Sequence, residues 1–446
     1  MSNAKSITIP NTVKKIDCGA FSQCYKLENL ILPEDLDTIS NITASYCTKL
    51  KSINIPKNVK HISDFAFSFS GISSLSLPEG LTSIGQQAFI GNPIENLYIP
   101  STVEKIGNIA FSLNDKMKKI IVDKNNKVFD SRNNCNAIIE TKSSTLILGD
   151  ATTIIPDNIA TIRTSAFYGV DSLLHINIPA SVSLIKPQAF YSCKNIRSIK
   201  VDANNKYYDS RDNCNAIIDK ARNSLILGSV NTTIPGSVKK IGNDAFNSIN
   251  ISEIQIPANI DTIGNNAFYN CKNLYNVRFS EGLKYIGNNA FMLTSIDRLE
   301  LPKGVNTIKD NAFSSITTRK VTLPSSLRKV AASAFNCYNI ETIVSYSHHP
   351  EKFYIVIPED KYKSSILYVP IGTKEAYQQA EGWKKFMQIE EIDLGEDDET
   401  TSIHKPNSSS LQQSTYNIAG LKVNGNTKGI TIVKLEDGTT RKILNK

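Results

Sequence analysis

The sequence predicts a repeat solenoid of the leucine-rich-repeat type, with a parallel β-sheet along one face, short extended or 3₁₀ segments on the other, β-hairpin insertions and a helical C-terminal cap. Three observations predict it. The string Ile-x-Ile-Pro-x-x-Val-x-x-Ile-x-x-x-Ala-Phe runs from Ile7 to Phe21 and returns at Ile176 to Phe190, with a unit of 22 or 23 residues in between coils. A period in this range is that of stacked coils, each of which buries its apolar face only against its neighbours. The Phe column continues through Phe67, Phe89, Phe111, Phe167, Phe246, Phe268, Phe291, Phe313 and Phe335. Each unit also holds a short alternating triplet, such as Ile53-Asn54-Ile55 or Leu299-Glu300-Leu301, the mark of a strand buried on one side.

In chain order, residues 1–4 read as a cloning remnant, because Lys5-Ser6-Ile7 already lies inside the first repeat. An export signal would then have been cut away ahead of them. Residues 5–345 form the solenoid. The Pro after each triplet (Pro33, Pro56, Pro78, Pro100) has no backbone donor and ends the strand where the coil bends. The Val or Leu, the Ile and the Phe that follow complete the inward-facing set, with Phe21, Phe190 and the nine other column members as the core. The coil around Asn41-Ile42-Thr43-Ala44 lacks the Phe and has Tyr46 nearby, so it should be irregular. Two coils carry matching excursions, Asp123 to Gly149 and Asp202 to Gly228, with Asn-Ala-Ile-Ile at their centres; their Cys135 and Cys214 are 79 residues apart. Apolar runs between Asn and Ser clusters make these hairpins, duplicated as a block. Residues 346–394 read as a capping unit, with Thr373 as a helix N-cap, Gly382 as its stop and Trp383 as a packing residue. Residues 395–414, rich in acids and then in Ser, Asn and Gln, form a linker, and residues 415–446 a small β tail with Asp437-Gly438 as a hairpin turn.

Composition excludes several functions. A net charge of +8 from 50 basic and 42 acidic residues is spread through turns, with no basic run interleaved with aromatics, so nucleic acid is not expected as a partner. No apolar run reaches the roughly 20 residues of a spanning helix. Five cysteines (Cys24, Cys47, Cys193, Cys271, Cys337) share one slot a few residues after the Phe, which reads as a buried ladder of free thiols behaving as small apolar side chains. No Cys-x-x-Cys pair suggests zinc or redox chemistry. The loops beginning Asp123 and Asp202 lack the Gly and bidentate Glu of a calcium loop and read as Asn turns. His348-His349 point to opposite sides of an extended segment, and His61, His175 and His404 are isolated.

The alternation exposes a polar strand face, of which Asn54, Ser76, Tyr98, Asn177, Gln255, Arg278, Arg298, Glu300 and Lys320 are the candidate ligand residues. It combines no nucleophile, base and orienting acid, so no catalytic residue, cofactor site or metal site is expected. Asn and Ser dominate its N-terminal part; Arg278, Arg298 and Lys320 make the C-terminal part basic.

The Ile-Pro, Val, Ile, Ala-Phe signature and both Asn-Ala-Ile-Ile insertions resemble the BspA-like leucine-rich repeat proteins of bacterial surfaces, over roughly residues 6–395. The resemblance implies adhesion to host matrix proteins, other bacteria or host cells. The string Tyr416 to Val423, with Lys428-Gly429-Ile430 and the Lys442 ending, resembles C-terminal tails of the type IX secretion sorting kind, though it is shorter than a full sorting domain. The expected protein is therefore extracellular or on the cell surface, non-enzymatic and monomeric, and it binds a macromolecular protein or glycan ligand along its sheet face. A structural spacer or surface-layer scaffold, or an accessory glycan-binding subunit of a degradative system, are the alternatives.

Overall fold

Each coil has three sides, and on each side the backbone finds its hydrogen-bond partners in the neighbouring coil. The computed structural model describes residues 3–394 and the backbone of four strands within 414–445. It divides into two units, Met1–Asp397 and Asp398–Lys446.

The first side carries the triplets. Their strands pair in parallel, with Ile7 opposite Leu30 and Ile53 opposite Leu75, and the middle residues point into the core while their neighbours face outward. The ladder is segmented: Ser6–Thr8 with Asn29–Ile31, Ser52–Asn54 with Ser74–Ser76, Asn96–Ile99 with Lys119–Val122, His175–Ile178 with Ser198–Val201, and Glu253–Gln255 with Asn276–Arg278 are separate pairs. A five-stranded sheet from Arg298–Glu300 to Gln388–Ile392 closes the unit.

On the second side, extended segments prevail. Two-residue strands such as Thr38–Ile39, His61–Ile62, Ser83–Ile84 and Lys105–Ile106 form one parallel sheet. A later sheet runs from Lys240–Ile241 to Lys329–Val330. Among the described residues 3₁₀ turns are confined to the hairpin blocks, the last coil and the cap.

The third side holds the Ala-Phe pair. The Phe N–H donates to the Ala carbonyl of the next coil, at 2.8 Å from Phe67 to Ala88 and 2.7 Å from Phe268 to Ala290. This straight run is bracketed by residues with left-handed backbone two positions before and two after the Phe. Asp244, Asn266, Asn289 and Asn311 take the first place, and Ser248, Asn270 and Ser315 the second. Asp and Asn tolerate that region best among residues with a side chain, which explains the Gly-Asn-Asn and Asn-Asp strings. Ile109 and Phe65 adopt it too, at a steric cost the stack must offset.

Inside, the Phe rings stack coil upon coil, with centroids 4.8 Å apart for Phe246–Phe268 and 5.4 Å for Phe67–Phe89. The stack breaks at both hairpin blocks, where Gly149 and Gly228 stand in place of the ring. A Cβ on Gly149 would lie 2.3 Å from Phe167, and one on Gly228 2.1 Å from Phe246. Phe21 departs from the core assignment: it is only half-buried, because the next coil offers Ala44 where a ring should stack. Tyr46 instead stacks on Phe69 near the surface, at 5.3 Å.

The cysteine slot has a purpose beyond volume. The Sγ of Cys193, Cys271 and Cys337 donates to the carbonyl of the Phe in the preceding coil, at 3.0, 2.9 and 2.9 Å. Asn92 and Asn114 do the same through Nδ2, at 2.8 and 3.0 Å. The slot often holds a small buried donor, and Cys is one solution. It is apolar at Val170 and Ile249, in the two coils that follow a hairpin block, where no Phe carbonyl precedes it, and at Ile316, where Thr294 already donates to the Phe291 carbonyl at 2.9 Å.

Each hairpin block is antiparallel. Phe129–Asp130, Ala137–Glu140 and Thr145–Gly149 meander outward and rejoin the second-side sheet at Thr161–Ile162; Tyr208–Asp209, Ile217–Asp219 and Ser224–Leu227 repeat this and rejoin at Lys240–Ile241. The entry loops are Asn turns. Asn205 is buried, donates to the carbonyls of Pro179 and Val182, and accepts from the N–H groups of Tyr207 and Tyr208.

The capping region is built more on strands than on helix. Ile366–Pro370 and Gln388–Ile392 extend the sheet, with six-residue helices at Glu359–Ser364 and Lys374–Gln379. Thr373 occupies the N-cap position, but its hydroxyl donates back to Pro370 O, and the helix ends at Gln379, ahead of Gly382. Trp383 is fully buried, its indole N–H on Phe353 O at 2.9 Å. The linker expected at 395–414 lies outside the described residues apart from Ser414, which opens a strand, as do Met1, Ser2 and the Asp437-Gly438 turn. In the second unit Ser414–Asn417, Lys422–Val423, Gly429–Lys434 and Thr440–Asn445 form a four-stranded antiparallel sheet.

Phe268, packed between two rings, should lose about 3–5 kcal/mol on replacement by Ala, and half-buried Phe21 clearly less; chemical unfolding of both variants checks the order. Of the eight thiols only Cys18 is exposed. Burial pushes the Cys47 thiol up to about 11 and that of Cys193 to about 12. A thiol reagent at pH 8 should therefore modify Cys18 alone in the native protein and the remaining cysteines only after unfolding.

Candidate functional site

The strand face presents two outward columns, the first and third residues of each triplet strand. Asn54 and Ser76 are in-register neighbours in the third-residue column, both exposed. Tyr98 stands opposite Ile121, and its hydroxyl is taken by Asp123 at 2.5 Å, which pushes the phenol up to about 12. Asn177 pairs with Lys200 and Gln255 with Arg278. Arg298 pairs with Lys320, and Glu300 with Thr322. The basic residues thus divide between the two columns. Arg298 and half-buried Lys320 lie side by side in the first column, about 4.8 Å apart by strand spacing, whereas Arg278 is a third residue, as Glu300 is.

Sequence reasoning missed that the hairpin blocks cut recesses into this face. After each hairpin the chain turns over through a Thr pair instead of forming a first-side strand. Thr153 Oγ1 donates to Asn136 O at 2.7 Å, and Thr232 Oγ1 to Asn215 O at 2.8 Å. The next strand, His175–Ile178 or Glu253–Gln255, therefore has no partner on that side. One recess of about 450 Å³ opens between Thr153-Ile154-Ile155 and His175, Asn177 and Lys200. Its twin, of about 290 Å³, lies between Thr232-Thr233-Ile234 and Glu253, Gln255 and Arg278. Each combines a carboxamide and a basic side chain on adjacent strands. They differ at the rim, where Ile154, 74% exposed, and His175 give way to Thr233 and Glu253. The signal for both was the duplicated Thr-Thr-Ile-Pro and Thr-Ile-Ile-Pro pattern, which breaks the alternation of an ordinary triplet.

These side chains can donate hydrogen bonds to hydroxyl, carbonyl and carboxylate oxygens. Among the described residues no group of three or more His, Cys, Asp or Glu is placed to hold a metal ion, and no helix is long and apolar enough to cross a membrane.

A coil with three laddered sides, an Ala-Phe stack and an open polar strand face defines a leucine-rich-repeat solenoid. The chain belongs to the BspA-type leucine-rich repeat family, whose model matches residues 1–140, 151–219 and 226–349 in six copies. Its fold is similar to that of the pneumococcal vaccine antigen PcpA, at 18% identity over 77% of this chain and 82% of that one, with a TM-score of 0.50. A leucine rich cell surface protein from Faecalibacterium prausnitzii A2-165 is 23% identical over 76% of this chain and 79% of that one, with a TM-score of 0.42. No curated protein matches the chain.

Proposed function

We propose that this protein is an exported, non-enzymatic cell-surface repeat protein that binds an extended protein or glycan ligand along its strand face. The observation that carries this reading is the pair of twin recesses. The same block, inserted twice, places a carboxamide–cation pair (Asn177 with Lys200, Gln255 with Arg278) beside a gap in the sheet. Shallow, polar sites repeated along a face suit a long ligand with recurring oxygen acceptors, gripped at several points at once. Family membership supports the surface location. A spacer or surface-layer scaffold remains the alternative reading, as does an accessory glycan-binding subunit. Surface delivery through the tail at 415–446 belongs to the same proposal, on the strength of its Tyr416 to Val423 string.

A glycan and host-protein array probed with the purified protein should give reproducible hits, whereas silence together with self-association would favour the scaffold. On a ligand so found, Lys200→Glu with Arg278→Glu should weaken binding at least about tenfold and flatten its salt dependence. Arg298→Glu with Lys320→Glu should weaken it less, and no effect from either pair would remove the strand face from consideration. Deleting residues 415–446 should abolish delivery in the native host; unchanged surface display would end the sorting reading.

A further inference from the structure

The second side of the solenoid is also interrupted where the second hairpin block enters. One sheet ends at Leu184–Ile185, and the next begins at Tyr208–Asp209. Between them lies a recess of about 710 Å³, within the usual size range of small-molecule sites. Leu184, Phe190, Ile226 and Leu227 contribute apolar walls, and Asp244 lines it with its carboxylate.

The equivalent junction 79 residues earlier is bridged. There the guanidinium of Arg163 reaches across the break to Asn108 Oδ1 at 3.1 Å. The counterpart of Arg163 is Gly242, that of Lys105 is Leu184, and that of Ser165 is Asp244. All three exchanges act in one sense: a plug is removed, an ammonium is replaced by an alkyl group, and a carboxylate is introduced. One oxygen of that carboxylate, Oδ1, is buried without a hydrogen-bond partner, while Oδ2 accepts a long bond of 3.4 Å from Gln188 and the Asn266 side chain also bonds to the carboxylate. Burial pushes the Asp244 carboxyl above the ordinary range, with no cation acting against it. Arg222 on the rim is already paired with Asp219 at 2.7 Å, and the rim residues Lys186 and Lys240 do not hold Asp244 down. The strand edge offers little to a peptide, since the open N–H of Ile185 is satisfied by the hydroxyl of Tyr208 at 2.9 Å. In the first block that position is Phe129, which has no such group.

We propose that the recess between Leu184–Ile185 and Lys240–Asp244 binds a small amphipathic amine, with its ammonium on Asp244 and its hydrocarbon against Leu184, Ile226 and Leu227. An ammonium supplies the charge partner that the Asp244 carboxylate lacks, and the apolar walls reward the chain attached to it.

Calorimetric titration of the intact protein with n-hexylammonium, hexanoate and hexan-1-ol tests this. Saturable binding of hexylammonium is expected, at least about tenfold weaker binding of the other two, and a similar loss for hexylammonium in Asp244→Asn. Gly242→Arg, which restores the plug of the first block, should abolish binding while circular dichroism and melting stay as in the wild type. A Cβ at Gly242 meets Leu225 O at 2.9 Å, so if that variant misfolds, Asp244→Ser, the residue of the first block, replaces it in the comparison. Absence of saturable hexylammonium binding, equal binding of hexanoate, or undiminished affinity in Asp244→Asn overturns the proposal.

Discussion

The constraint on which the solenoid depends is that no coil can satisfy its own backbone. A coil of 22 or 23 residues has too few residues to pair its N–H and C=O groups internally, and leaving a buried one unpaired costs on the order of 1–3 kcal/mol. Every side of the coil is therefore laddered to the next: by triplet strands on the first side, two-residue strands on the second, and the Phe-to-Ala bond on the third. The ring stack is only possible because these ladders fix the spacing, and centroid distances of 4.8 to 5.4 Å between successive rings follow from strand spacing. Even the buried thiols serve this requirement, since Cys193, Cys271 and Cys337 each satisfy a Phe carbonyl.

That constraint explains what was legible in the sequence. The Pro, Val, Ile and Phe positions recur because each meets the same environment in every coil, so periodicity alone locates the first-side strands and the Phe column. The left-handed positions were visible only as Asn-rich strings, because the same backbone is also taken by Phe65, Ile109 and Leu293, which carry no such signal. The cysteine slot read as apolar because burial is all that composition reveals; that Asn92 and Asn114 share it shows what the thiols also supply, a donor to the Phe carbonyl. Thr373 read as a cap, but its hydroxyl goes to Pro370 O, a choice set by the turn that precedes the helix.

The candidate site was legible as residues and hidden as shape. Alternation places Asn177, Gln255 and Arg278 outside, yet it says nothing of the gap beside them. The gap arises because the preceding coil leaves its hairpin on the second side and crosses back through Thr153 or Thr232. Register adds what a linear list does not show: Arg278 stands in one column of the strand face, Arg298 and Lys320 in the other.

Duplication of the hairpin block gave the chain two copies of one structural solution, and the copies are not equally constrained. Where a residue holds the block to the solenoid, both copies agree: Asn126 and Asn205 make the same four kinds of bond, and Gly149 and Gly228 clear the same ring. Elsewhere at the junction they diverge, with Arg163 against Gly242 and Phe129 against Tyr208. A position free to change without loss of the fold is where a binding property can be acquired. The differences cluster beside the interruptions of the sheets, on both the first and the second side. In a solenoid whose regular coils are fully committed to pairing with one another, such interruptions are the places where the backbone leaves room for a ligand.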